Sequence, residues 1–150
     1  MKKVFPIRDE QGTHALAEKL AHLCNSQTVI YLEGELGAGK TSFCRAFIQA
    51  LGVTGRIKSP TYTLVEPYET QHWRIFHFDL YRLSDPEELE FIGIRDYFQA
   101  DCLCLIEWPE KGTGLLAPAD LQISIEFSDN GRTISLHGLS EQGIRLLQQL

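Results

Sequence analysis

The chain of 150 residues has no long hydrophobic run, only four cysteines and no excess of positive charge. Its longest run of consecutive apolar residues is the five-residue segment 102–106, whereas a membrane-spanning helix needs about 20. The charged start at residues 1–3 is followed by Pro6 and Arg8 rather than by an apolar segment, so we expect no secretory signal and a cytoplasmic protein without membrane association. The cysteines form no CxxC pair, which favours reduced thiols in the core over disulfides or a metal site; they are Cys24, Cys44, Cys102 and Cys104.

The charge of the chain is acidic and unevenly distributed. Fourteen Lys and Arg residues oppose twenty Asp and Glu residues, and thirteen of these acidic residues lie in positions 76–150 against five basic ones. Phosphate neutralisation supplies most non-specific affinity for nucleic acids, so no stand-alone nucleic-acid binding is expected. We interpret the small basic group Arg45, Arg56 and Lys58 as a solvated surface.

Apolar periodicity and turn residues predict one α/β domain over residues 1–150. No repeat, low-complexity stretch or linker divides the chain. The predicted elements imply a mixed parallel/antiparallel sheet flanked by helices. They are a helix capped by Asp9 or Thr13 with Leu16, Leu20, Leu23 and Cys24 on its apolar face, a buried strand over 28–32, a helix from Lys40 ending before Gly52, an antiparallel hairpin of strands 61–68 and 73–80, a helix starting at residues 85–88, a central strand over 102–106, a hairpin of strands 121–127 and 133–137, and a last helix capped by Ser140.

The segment Gly34–Thr41 matches the phosphate-binding pattern G-x-x-x-x-G-K-[ST] at every defined position. It lies between the predicted strand 28–32 and the helix that begins at Lys40, which is the context this motif requires. The glycines allow backbone N–H groups to approach phosphates at a helix N-terminus, while Lys40 reaches the β- and γ-phosphates and the Thr41 hydroxyl suits Mg²⁺. The sequence therefore predicts a P-loop that binds a nucleoside triphosphate.

Two carboxylates follow apolar strands and are candidates for the metal and the attacking water. Asp79 ends the strand 73–80, and Glu107 follows the strand 102–106. Acids at the carboxyl ends of strands face the crevice in which open α/β sheets bind ligands. Sequence reasoning leaves open which acid holds Mg²⁺ and which orients water.

Three further features bear on the site. The chain lacks the N-K-x-D sequence of Ras-type GTPases, which favours ATP over GTP. Trp108 either packs in the core or lines the site. His77 is interpreted as a hydrogen-bonded histidine of its strand rather than as a general base.

Four motifs in this order resemble the TsaE (YjeE) family. Beside Gly34–Thr41 they are Ser59–Leu64, His77–Arg82 and Ile106–Glu110. The resemblance implies a P-loop ATPase with weak activity alone, which acts with the proteins TsaB and TsaD in the threonylcarbamoylation of adenosine 37 of tRNA and allows repeated turnover. It implies ATP/ADP and Mg²⁺ as ligands, and tRNA as an indirect partner through the complex.

The resemblance also implies roles for individual residues. Phosphate binding falls to Gly37, Ala38, Gly39, Lys40, Thr41 and Ser42, and Mg²⁺ binding to Thr41, Asp79 and Glu107. Ser59 and Thr61 lie in a switch-like segment near the γ-phosphate, and Trp108 flanks the acids. The implied catalytic residues are Lys40, Thr61, Asp79 and Glu107. At the N-terminal nucleotide contact the chain has Asp9 and Thr13, and Asp9 departs from the Ser usual in the family.

Two alternatives belong to other functional classes. A small P-loop kinase needs an acceptor site and usually a lid bearing Arg, whereas the region after residue 84 is acidic. A nucleotide-gated binding module needs no hydrolysis, so Glu107→Gln would leave its function intact.

Overall fold

A computed structural model describes residues 1–150, which form one seven-stranded sheet with helices on both faces. The strands are β1 (Lys2–Ile7), β2 (Thr28–Glu33), β3 (Val65–Glu69), β4 (Arg74–Asp79), β5 (Cys102–Glu107), β6 (Leu121–Ser128) and β7 (Gly131–Gly138). The α-helices are α1 (Glu10–Leu23), α2 (Lys40–Ala50), α3 (Glu87–Phe91) and α4 (Glu141–Gln149), and short 3₁₀ helices span Ile94–Tyr97 and Pro109–Gly112.

The sheet is mixed, as the sequence predicts. Its strand order is β1-β7-β6-β2-β5-β4-β3. The four central strands β6, β2, β5 and β4 run parallel, while β7, β1 and β3 are antiparallel to their neighbours. The carboxyl ends of β2, β5 and β4 therefore meet at one edge, where the P-loop begins.

Two apolar layers cover the central strands. Phe43 and Phe47 of α2 belong to the larger cluster on one face, and Phe78 and Leu89 belong to the smaller cluster on the other. All six residues of β5 are buried. Burial on both faces explains why 102–106 reads as a continuous apolar run instead of an alternating one, and the prediction of a central strand is confirmed.

Most predicted helix boundaries are confirmed by their caps. The Asp9 carboxylate accepts a hydrogen bond from the Gly12 N–H (3.0 Å), so Asp9 and not Thr13 caps α1. Ser140 caps α4 through the Gly143 N–H (3.0 Å). Gly52 follows α2 with φ +104°, a conformation that glycine adopts without strain. No helix has the length and apolar composition needed to cross a membrane.

Two predictions about strands are corrected by the structure. The strand expected over 61–68 starts only at Val65, because the Leu64 N–H closes a turn onto the Pro60 carbonyl (2.9 Å). Strand β1 was not anticipated, since its side chains show no continuous apolar pattern; it pairs with the edge of β7.

Candidate active site

The P-loop connects β2 to α2 and forms an open backbone cradle. Gly37 and Gly39 have φ values of +81° and +115°, and a Cβ added at either position would meet no atom within 4 Å. Gly34 is constrained differently, because a Cβ there would lie 2.5 Å from the Ile125 carbonyl oxygen of β6. The glycines thus serve both the turn and the close packing of the loop against the sheet.

Backbone donors line this cradle. The N–H groups of Gly39, Lys40, Thr41 and Ser42 have no acceptor within the chain, and the first helical hydrogen bond runs from Phe43 to Gly39 (2.9 Å). Free N–H groups and the positive end of the helix dipole favour an anion at this position.

Asp79 and Glu107 are adjacent at the ends of parallel strands. The two residues are register partners in β4 and β5. Both Glu107 oxygens accept from the Thr41 hydroxyl, at 3.0 and 3.2 Å, and Glu107 is 2% exposed. Burial raises the pKa of Asp79; the nearby Glu107 charge adds to the rise, and the hydrogen bond from the Tyr81 N–H opposes it. The structure thus brings the predicted acids and Thr41 together.

Lys40 is folded against its own loop. Its ammonium donates to the carbonyl oxygens of Gly34 and Glu35, the latter at 3.4 Å. The Trp108 indole covers it, with 3.9 Å from Nζ to the ring centroid. Burial lowers the pKa of Lys40, while the charges of Glu107 and Asp79 raise it.

Trp108 lines the site, which resolves the two alternatives left by the sequence. Its ring also lies 4.9 Å from that of Tyr81, between centroids. Trp108 has φ +58°, one of two non-glycine residues with positive φ. Such strain in a residue over the P-loop lysine is typical of a functional position.

His77 is buried in β4, as interpreted, but it also belongs to the site. Its Nε2 lies 2.6 Å from Glu107 Oε2, while Nδ1 has no hydrogen-bond partner. Because an ionised carboxylate only accepts, Nε2 donates in this pair. The spacing was an available signal, since His77 and Asp79 are two residues apart and share a face of β4.

The cavity beside the loop, of about 240 Å³, is lined by Lys40, Thr41, Thr61, Asp79, Glu107 and Trp108 among others. A hydroxyl and two carboxylates are hard oxygen donors of the kind Mg²⁺ prefers, so the residues present fit this ion. Ser59 does not line the cavity; its hydroxyl contacts that of Thr61 at 2.7 Å.

A second cavity of about 360 Å³ lies beside the loop and is lined by Asp9 and Thr13 together with Gly37, Ala38, Gly39 and Ser42. Arg8 and Arg132, which the sequence did not indicate, also line it. Arg132 Nε donates to the Ala38 carbonyl at 3.1 Å, a contact between residues 94 positions apart. No local pattern signals such a contact, because it depends on the placement of β7.

A P-loop at the carboxyl end of a central parallel strand, with an acid at the end of each of the next two strands of the sheet, defines an α/β protein of the P-loop NTPase class. The chain belongs to the TsaE family: the model of the family described as "Threonylcarbamoyl adenosine biosynthesis protein TsaE" matches residues 7–134.

Relatives agree with this assignment. A protein of Haemophilus influenzae named "tRNA threonylcarbamoyladenosine biosynthesis protein TsaE" is 51% identical over 132 residues, covering 87% of this chain and 84% of its own length. The Bacillus subtilis protein of the same name is 34% identical over 141 residues, covering 93% and 88%. The crystal structure of YdiB from Bacillus subtilis superposes with a TM-score of 0.80 at 29% identity, covering 99% of this chain and 92% of that one.

Proposed function

We propose that this chain is a Mg²⁺-dependent ATP-binding protein with weak ATPase activity, required with TsaB and TsaD for threonylcarbamoylation of adenosine 37 in tRNA. The juxtaposition of Thr41, Glu107 and Asp79 beside the P-loop carries the proposal. The names of the relatives, which refer to threonylcarbamoyladenosine biosynthesis, support the pathway.

The phosphates of ATP or ADP bind in the backbone cradle from Gly37 to Ser42, where the N–H groups of residues 39–42 are free to donate to an anion. Lys40 reaches the β- and γ-phosphates after releasing the carbonyls of Gly34 and Glu35. Phosphate oxygens replace carbonyl oxygens as acceptors for the ammonium, so the exchange keeps the buried charge paired.

Thr41 and Glu107 would hold Mg²⁺, whose charge would neutralise the phosphate oxygens during transfer, with Asp79 beside them. We assign Glu107 to the metal, because its carboxylate already contacts Thr41. We assign Asp79 to the attacking water. It lines the cavity without contacting Thr41, and its raised pKa suits a group that accepts a proton.

The segment containing Ser59 and Thr61 acts as a switch. Thr61 lines the cavity and its hydroxyl contacts that of Ser59, so a γ-phosphate that engages Thr61 also orders Ser59. Pro60 between them keeps Ser59 extended.

Thr61→Ala tests this assignment. We expect unchanged ADP affinity and a large loss of ATP turnover, because only the triphosphate state uses the hydroxyl. Calorimetric ADP binding and single-turnover hydrolysis measure the two quantities, and Thr63→Ala, an exposed neighbour, is the matched control. Equal losses of binding and turnover would contradict a switch.

The base and ribose bind in the second cavity, beside Asp9 and Thr13. A carboxylate at position 9 accepts a hydrogen bond but donates none, which suits the exocyclic amine of adenine. In this chain Asp9 also caps α1, so its carboxylate serves two donors.

The decisive experiment is Mg-ATP hydrolysis by the cytoplasmic chain alone and with TsaB and TsaD, with Lys40→Ala as control. We expect slow turnover alone and strong stimulation by the partners, and no tight tRNA binding by the isolated acidic chain at physiological salt. Turnover unaffected by TsaB and TsaD would overturn the proposed role in the complex.

One variant and one product distinguish the alternatives. A P-loop kinase would yield a phosphorylated small molecule, which mass spectrometry detects. A nucleotide-gated module would keep its partner-dependent activity in Glu107→Gln, whereas the proposed ATPase loses repeated tRNA modification.

A further inference from the structure

Beneath the P-loop lies a cluster that the proposed ATPase chemistry does not require as a unit. Cys44 of α2, His77 of β4 and Glu107 of β5 each place one potential ligand atom within 4.8 Å of the others, and all three residues are buried. Cys44 follows Thr41 by three positions, so it lies on the same inward face of α2.

Cys44 and His77 each have bonding capacity that the fold leaves unused. The thiols of Cys24, Cys102 and Cys104 each donate a hydrogen bond, whereas that of Cys44 makes none. His77 carries the buried side-chain nitrogen without a partner, although the residue is only 1% exposed. The Cys44 sulfur and a His77 nitrogen are therefore without hydrogen-bond partners beside the Glu107 carboxylate.

Thiolate, imidazole and carboxylate together are the ligand set of Zn²⁺ and not of Mg²⁺, which avoids sulfur. With bond lengths of about 2.0–2.3 Å, tetrahedral ligand atoms lie about 3.3–3.8 Å apart. The three side chains are within 4.8 Å of one another, and binding must separate His77 Nε2 from Glu107 Oε2, which lie 2.6 Å apart in the metal-free chain. One thiolate and one carboxylate also cancel the charge of the ion, so its burial is electrostatically tolerated.

Glu107 governs both how an ion reaches the cluster and what its binding does to the P-loop site. Its side chain lines the cavity beside the P-loop, so an ion entering from that cavity meets the cluster there. A metal bound to Glu107 on the His77 side competes with the Thr41 hydroxyl that now holds the same carboxylate.

We propose that Cys44, His77 and Glu107 form a site for a thiophilic divalent cation, Zn²⁺ being the expected ion, and that its occupancy suppresses ATP hydrolysis by withdrawing Glu107 from Thr41. Binding converts the Cys44 thiol to a thiolate and releases its proton to solvent. The inhibitory half of this inference depends on the proposed ATPase function, and the binding half does not.

Co²⁺ tests the binding half directly, because it occupies Zn²⁺ sites and reports thiolate ligation optically. We expect the nucleotide-free chain with Co²⁺ to show a thiolate charge-transfer band and strong tetrahedral d–d bands, which Zn²⁺ removes by displacement. Cys44→Ser and Cys44→Ala should lose the charge-transfer band and weaken Zn²⁺ affinity by at least about tenfold.

Cys24→Ser is the matched control, since Cys24 is another buried helix-associated cysteine outside the cluster. It should keep the band. Thermal melts identify a variant that fails to fold, and the second Cys44 substitution then decides. Absence of the band in the original chain, or its persistence in both folded Cys44 variants, would overturn the site.

The inhibitory half is measured as the ratio of Mg-ATP turnover with and without Zn²⁺ within each variant. We expect a several-fold loss in the original chain and in Cys24→Ser, and none in Cys44→Ser. Equal loss in all three would mean that Zn²⁺ acts on the nucleotide complex, which overturns the inhibitory role. A Co²⁺ band in a chain without any ATPase activity would instead overturn the proposed function and leave the metal site standing.

Discussion

At the scale of single residues, the site is a chain of contacts that converges on one carboxylate. Thr41 donates to Glu107 from one side and His77 donates to it from the other, at 3.0 and 2.6 Å. A buried carboxylate held by two donors has few orientations available, since turning away from either donor costs a hydrogen bond. His77 is thereby a positioning residue for Glu107.

This geometry predicts different effects for two substitutions of His77. His77→Leu removes the donor and should lower kcat for ATP by about tenfold or more, since a buried carboxylate that loses a donor, at a cost of about 1–3 kcal/mol, turns away from its present orientation. His77→Gln keeps a donor and should retain most of the activity. ADP affinity, measured by calorimetry, should change little in both; identical kcat values for the two variants would contradict a positioning role.

Replacing the Asp79 carboxylate by a neutral side chain should stabilise the chain at the expense of its function. Burial raises its pKa, so its contribution to folding is fully present below the ordinary pKa of an aspartate and is lost as pH rises through the raised value. At neutral pH the charged form therefore destabilises the nucleotide-free chain.

Asp79→Asn should accordingly raise the Tm of the nucleotide-free chain at pH 7 while abolishing turnover. The gain should shrink on acidification and vanish below the ordinary aspartate pKa, where both side chains are neutral. Thermal unfolding across this pH range measures the difference, and a variant less stable than the original chain at pH 7 would refute the argument.

At the scale of elements, the helices are held by capping residues close in sequence to the N–H groups they bind, and by glycines that pack against segments distant in sequence. Asp9 and Ser140 cap α1 and α4 through N–H groups three residues ahead. Gly143 in the first turn of α4 has a different reason, because a Cβ there would collide with the Asp120 carbonyl oxygen at the start of β6. The packing of α4 against the sheet thus leaves no room for a side chain at position 143.

Two helical glycines provide a matched pair for this point. Gly143→Ala should destabilise the chain by about 2–3 kcal/mol, because two backbone segments must separate. Gly12→Ala, whose Cβ would meet only side-chain atoms, of Ile7 at 3.2 Å and of Asp9 at 3.7 Å, should change stability by less than about 1 kcal/mol. Chemical denaturation of both variants gives the comparison, and equal effects would contradict it.

At the scale of the whole molecule, the central strands bring one edge of the sheet, the start of α2 and the carboxylates into a single crevice. Without a ligand, Lys40 donates to loop carbonyls, and Glu107 accepts from Thr41 and lies against His77. The proposed nucleotide would replace part of these contacts and engage the free N–H groups of the loop. Ligand binding and global stability are therefore coupled.

This coupling predicts stabilisation by Mg-ADP. At about one hundred times its Kd, the ligand should add about 2.7 kcal/mol to the free energy of unfolding, a rise of several degrees in Tm for a chain of this size. Lys40→Ala should lose most of the shift. Lys58→Ala, an exposed lysine, should keep it; an equal shift in both variants would place the nucleotide elsewhere.

Sequence patterns alone determined those features whose causes lie within a few residues of one another. The P-loop at Gly34–Thr41, the cap at Ser140 and the doubly buried strand 102–106 follow from local spacing and composition, whereas the structure decided for Asp9 over Thr13 as the cap of α1. The mixed α/β class follows from the order of these elements. Residues 61–64 were predicted wrongly as strand because their alternation is also compatible with the turn that Leu64 closes.

Only the tertiary structure decided which of these residues meet. The strand order places β5 between β2 and β4, so Glu107 lies beside both Thr41 and Asp79. The contacts of His77 with Glu107 and of Arg132 with Ala38 join residues 30 and 94 positions apart. Hydrophobic periodicity specifies which face of an element is buried but not which element lies next to it, and the chemistry of this site depends on that second choice.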